Sequence, residues 1–166
     1  MVMPALNPMQ EKALRVLEFT KIRDRLATHA VTQTGAELCL SLLPYERLAE
    51  VNHAQAETEE AVIVLTYRGD HPLADFKDVR PSLRLAEKGA TLSTRALLDI
   101  ADCLRAASIA RTALDTDKVN TPILKSLSQA LTTNYPLERG IKDAIISEEE
   151  IADNASHQLA DIRRQM

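Results

Sequence analysis

Aromatic residues are nearly missing from this 166-residue chain, which has two Phe, three Tyr and no Trp. Sheets draw on aromatic and β-branched faces. A core here must come from Leu, Ile, Val and Ala, which suits packed helices. Glycine is scarce as well, at four residues, which argues against a turn-rich all-β fold. No run approaches the ~20 apolar residues needed to span a bilayer. The opening, MVMPALNPMQEK, lacks a basic start followed by an apolar run, so no signal peptide is expected. The two cysteines, Cys39 and Cys103, lie inside apolar helical patterns. That predicts buried free thiols rather than a disulfide, and the cytosol rather than a secreted compartment. A strong charge of one sign is also absent: the formal net charge is −4. Global attraction to nucleic acid is not indicated, although a local basic patch is compatible with this balance.

What is present fits a soluble globular domain, or part of a larger one: 45% hydrophobic and 27% charged residues. Residues 1–9 hold two prolines and few charges and read as a flexible tail. A helical pattern begins at Gln10, as one interrupted helix or two short ones ending near His29. Thr34 and Glu37 have capping-box spacing, and Pro44 closes the helix that they would start. Residues 47–66 predict a long helix with Val51, Ala54, Thr58, Ala61 and Leu65 on one face. Pro81 and Gly89 bracket a short helix. Ser93 caps a second long one over 94–114, with Leu97, Ile100, Leu104 and Ala107 as its buried stripe. Thr121-Pro122 and Pro136 each start another. Ser147 with Glu150 forms a second capping-box pattern, and Asp153 is a further candidate cap. The fold class is therefore all-α, a bundle of about six to eight helices, with a helical core over residues 10–150.

The chemistry carried by these residues is sparse. The glycines, Gly35, Gly69, Gly89 and Gly140, are too dispersed for a phosphate-binding loop. The histidines, His29, His53, His71 and His157, fall in different elements without metal-ligand spacing. Asp99 and Asp102 lie three apart on one helix, where a solvated face is the plainer reading than acid–base work. Arg68-Gly69-Asp70 spells an adhesion tripeptide inside a connector and reads as no more than that. Catalytic, cofactor-binding and metal residues are thus expected to be none. Lys12, Arg15, Lys21, Arg23 and Arg25 make the N-terminal region locally basic, with Glu11, Glu18 and Asp24 interleaved. Surface pairing explains such a pattern; a nucleic-acid contact is the sharper alternative, to which Arg163 and Arg164 could add.

The final stretch has a different character. Ala155, Leu159, Ile162 and Met166 step by four, three and four, a narrow seam of the kind one helix offers another. No Gly, Asn or Pro closes it. The expectation is that residues 151–166 begin a longer helix of a longer parent. With its partner removed, the seam of Leu159, Ile162 and Met166 would fold back, fray or pair with a second copy.

Three stretches carry a family resemblance. EKALRVLEFTKIRDRLATHAVTQTGAELCLSLLP is similar to the opening of the second bacterial MutS-like family, the paralogue with a C-terminal Smr nuclease domain. HPLADFKDVRPSLRLAEKGATLSTRALLDIADCLRAA matches more specifically, through its Asp-Val-Arg-Pro and Leu-Leu-Asp-Ile runs. EIADNASHQLADIRRQM resembles the segment in which that family's lever helix begins. Arg95-Ala96 departs from the family's frequent Glu before Leu-Leu-Asp-Ile, and residues 115–146 match only in general character. The resemblance implies the N-terminal core of a longer homodimeric protein, seating the lever arms and coupling them to a distant ATPase. ATP and Mg2+ would belong to that missing part, and the Smr domain would supply nuclease activity. Branched DNA or stalled ribosomes are the implied partners, without a membrane and without mismatch recognition. The rival reading is a helical module that binds nucleic acid or a ribosome through the basic N-terminal helices. A free-standing helical enzyme has no constellation to support it.

Overall fold

A computed structural model describes residues 8–153 and 155–165, apart from the side chains of His157 and Gln165. The chain is all-α. Nine helices follow one another among the described residues: α1 (Pro8–Val16), α2 (Phe19–Ala27), α3 (Gln33–Ser41), α4 (Leu48–Arg68), α5 (Arg80–Glu87), α6 (Thr94–Leu114), α7 (Pro122–Ala130), α8 (Tyr135–Ala144) and α9 (His157–Gln165). That is one above the range of about six to eight that the sequence pattern suggested. Residues 1–7 of the expected tail, and Met166 of the expected seam, lie outside the described residues. Two compact units divide the chain between Tyr45 and Glu46.

In the first unit, α2 packs against α3 and α1 against α2. The break between α1 and α2 is set by Glu18, which adopts a left-handed backbone at φ 54°. Thr32, not Thr34, caps α3: its hydroxyl accepts from the Gly35 N–H at 3.0 Å. The reason is backbone geometry. Thr32 is extended, at φ −118° and ψ 153°, as a cap must be, whereas Thr34 already lies inside the helix. Glu37 consequently meets Gln33, whose side-chain amide donates to it at 3.2 Å. α3 ends at Ser41, ahead of Pro44.

In the second unit, α6 packs against α8 and α7, and α4 packs against α7. The core cluster consists of Ala101, Ile141 and Ile145, with Leu97, Leu98, Ile100 and Ala144 packed around it. Ala101 is fully buried; its small side chain lets the backbone of α6 come close to the two isoleucines. The buried positions of α6 are Ala101, Ala106 and Ala113, while the larger Leu97, Ile100 and Leu104 are half-buried. Ser93 caps α6 as expected, accepting from the Ala96 N–H at 3.2 Å.

α4 is turned relative to its expected face. Thr58 and Leu65 are exposed, and Glu60 and Val64 are the buried residues. A buried carboxylate is tolerable only with hydrogen-bond partners, and Glu60 has them at the start of α7. Gly69 ends α4 at φ 74°, a left-handed exit that favours glycine. This accounts for the Arg68-Gly69-Asp70 tripeptide: a helix terminus, with Arg68 paired to Asp70 at 3.2 Å.

Residues 145–151 form a tight hairpin-like turn, not a helix start. Ile145 and Ile151 make an antiparallel bridge, and the Ile146 N–H donates to the Glu150 carbonyl at 3.0 Å. Ser147 and Glu150 are thus turn residues. Ser156, not Asp153, caps α9, accepting from the Leu159 N–H at 3.1 Å.

Candidate functional site

The five N-terminal cations divide by what their side chains do. Lys12 and Arg15 stand exposed on α1, Lys21 and Arg25 on α2. Lys21 pairs with Glu18 at 2.6 Å. Lys12, Arg15 and Arg25 make no ion pair among the described residues. Arg23 is different. Its Nη1 donates to the Leu42 carbonyl at 3.3 Å, and its guanidinium lies over the Phe19 ring, 5.8 Å from the centroid. Its Nε is buried and without a partner among the described residues. Arg23 thus ties α2 to the end of α3, a packing role as much as a charge. Between these helices runs an open groove of about 470 Å³, lined by Leu14, Phe19 and Leu43 with Arg15, Lys21 and Arg23, and by Glu11 and Glu18. The interleaved acids dilute the field that the cations create.

Arg163 and Arg164 belong to the second unit. Arg163 is engaged, pairing with Asp153 and donating to the Ile151 carbonyl at 3.4 Å. Arg164 is exposed. Of the apolar seam, Ala155 and Leu159 are half-buried and Ile162 is exposed.

The acids singled out in the sequence are engaged in ion pairs. Asp99 meets Arg95 at 3.2 Å and Lys77 at 3.8 Å; Asp102 meets Lys142 at 3.3 Å and Arg105 at 3.7 Å. His53 faces Glu57 at 3.4 Å. No three His, Cys, Asp or Glu side chains converge on a common point among the described residues. Both cysteines are free but half-buried rather than fully buried, and burial pushes the Cys103 thiol up from its ordinary range. Gly35 and Gly140 lie inside helices, and Gly69 and Gly89 each follow the end of one, so the four glycines do not gather into one loop. No helix among the described residues is long and apolar enough to cross a membrane.

Sequence reasoning missed the most specific polar contact of the second unit. Glu60 is 8% exposed. Its Oε1 accepts from the Ile123 N–H at 3.2 Å and its Oε2 from the Leu124 N–H at 2.8 Å. Those are first-turn donors of α7, which otherwise have no intrahelical partner, and the helix dipole favours an anion there. Thr121, which with Pro122 marks the start of α7, makes no side-chain capping bond. In the sequence Glu60 is one of three clustered acids, with Glu57 and Glu59, and nothing local sets it apart from them.

No protein-family model matches the chain. It is 42% identical over 161 residues to the endonuclease MutS2 of Acetivibrio thermocellus. It is 40% identical over 161 residues to that of Clostridioides difficile, and 39% over 160 to that of Symbiobacterium thermophilum. Each match covers 95% of this chain and 20% of the relative; the chain spans about one fifth of their length. Over nearly all of its residues, the chain is a relative of the N-terminal region of the endonuclease MutS2 proteins.

Proposed function

We propose that this chain is the N-terminal helical region of a longer MutS-like ATPase and endonuclease, and that its role there is mechanical. It would seat the outgoing lever helices and couple their position to catalytic domains elsewhere in the polypeptide. The observation that carries this reading is the continuous match over 95% of the chain to one fifth of proteins named as endonucleases. Its chemistry agrees: Asp99 and Asp102 are engaged in ion pairs, and the glycines serve as helix exits or helical residues. ATP with Mg2+, homodimerisation, cytoplasmic location, and branched DNA or stalled ribosomes as targets all belong to the proposed parent. The test uses this chain alone, with labelled ATP and with branched DNA. Blank ATP binding and no cleavage are expected. Turnover above a buffer control would refute the assignment of chemistry to the rest of the parent.

A second reading rests on Lys12, Arg15 and Arg25, exposed without ion pairs among the described residues. In that reading the first unit docks directly on nucleic acid. Affinity for a labelled RNA or DNA duplex would then fall steeply with salt, by a slope close to the number of phosphates neutralised. Replacing Lys12 and Arg15 with Glu should flatten the slope; absence of binding at low salt would eliminate the reading.

A further inference from the structure

We infer that Arg163 and Glu148 are the two pins of a clasp that fixes the direction in which α9 leaves the second unit. The inference stands independently of the proposed parent. α9 has nine residues, a length at which an isolated helix is marginal in water. It shares no extensive packing with another helix among the described residues. Leu159 and Ala160 are half-buried, and its specific ties are polar. Arg163, in its second turn, pairs with Asp153 and reaches the Ile151 carbonyl. The hydroxyl of Ser156 and the Ala155 N–H, bonded to the Ala152 carbonyl at 3.0 Å, fix the entry.

Ile151 and Ala152 are in turn part of the hairpin-like turn. The Ala152 N–H donates to the Ala144 carbonyl at 2.9 Å, which joins the turn to the end of α8. At the tip of the turn, Glu148 meets the first turn of α6. Its carboxylate pairs with Arg95, and its carbonyl accepts from the Thr94 hydroxyl. A continuous polar path therefore runs from α6 through Glu148, along the bridge of Ile145 and Ile151, to Arg163 on α9. Both pins are solvent-accessible: side-chain exposure is 54% at Glu148 and 43% at Arg163. Exposed ion pairs are weak singly and screened by salt. The clasp thus holds one direction for α9 without locking it, and anything that competes for Glu148 or Arg163 would release it. Arg163 is a positioning residue in this account, not a contact for nucleic acid.

The test is amide hydrogen exchange on the whole chain, followed in residues 145–152 and 157–165, with α6 as a folding control. Arg163→Gln should speed exchange in α9 by about two- to five-fold, the effect of one surface ion pair, and leave the turn unchanged. Glu148→Gln should speed both segments, because the turn carries the constraint onward. Arg163→Lys should restore part of the protection, since a cation remains. Raising salt to about 1 M, where screening acts within ~3 Å, should mimic Arg163→Gln and Glu148→Gln combined. An α9 insensitive to Arg163→Gln, or a Glu148→Gln effect confined to the turn, would overturn the proposal, and neither result bears on the parent's nuclease.

Discussion

At the scale of single residues, Glu60 is the most consequential side chain of the second unit. Glu60→Ala removes an acceptor from two backbone donors at the start of α7. The expected loss is about 1–3 kcal/mol, read as a lower urea midpoint of the helical circular dichroism. Glu60→Gln keeps one acceptor and should lose less. Asp78 offers a pH test. The Arg80 side chain, hydrogen-bonded to it, holds its carboxyl below the ordinary value of 3.8. A depressed folded value means that the contribution is complete above 3.8 and disappears as pH falls through the lower folded value. Asp78→Asn should therefore lower stability slightly at neutral pH, with the difference from the unaltered chain vanishing as pH falls below 3.8, so that the acid limb of the stability profile flattens. Lys125 is the mirror case, raised by Asp117 beside it; its contribution is complete below 10.5 and lost as pH rises beyond. Such pairings are poorly legible in a sequence. Glu60 and Ile123 are 63 residues apart, and no local rule joins them. Thr32 and Thr34 differ only in backbone angles, so the choice between two threonines as cap was settled by φ and ψ, not by residue type.

At the scale of elements, local chemistry was largely sufficient. Ser93, Pro81, Gly89 and Pro122 mark helix ends because their backbone or hydroxyl requirements are met nowhere else nearby. Which face of each helix is buried was harder. On α4 the alternation of Val51, Ala54 and Ala61 pointed one way, and the carboxylate of Glu60 turned the helix another, because a partnered charge can take a core position. On α6 the alanines, not the leucines, sit deepest, since close helix approach needs small residues. Ile141→Ala should show how much depends on that approach: truncation against fully buried Ala101 is expected to cost about 2–4 kcal/mol, read by urea denaturation with α6 exchange as a second probe. The seam of α9 gives a separate test. Ile162 is 57% exposed and Leu159 half-buried. Leu159→Asp should lower the scattering mass of the chain if two copies pair through this helix; equal masses and equal helix content would exclude that pairing.

At the scale of the whole molecule, the candidate site follows from resemblance more than from any constellation of residues. The basic helices were legible as a composition of Lys and Arg, but Arg23 and Arg163 turned out to be occupied by carbonyls and acids of their own unit, which composition does not reveal. Apolar surface is the other global feature. Val62, Ile63, Leu65 and Tyr67 are all exposed on different sides of the last turns of α4, and a helix apolar on every side is ordinarily covered. The isolated chain should bind an apolar dye such as anilinonaphthalene sulfonate, and Val62→Lys with Leu65→Lys should reduce that fluorescence markedly. The long reach of Glu60 also has a consequence during synthesis. Chains emerge from the ribosome at ~5–20 residues per second, so the 63 positions between Glu60 and Ile123 take roughly 3–13 s to appear. For that interval the carboxylate is hydrated and waiting. The nascent second unit passes through a stage in which its first long helix exists before the segment that will justify its buried charge, and a chaperone that shields the Ala61–Tyr67 stretch has those seconds in which to act.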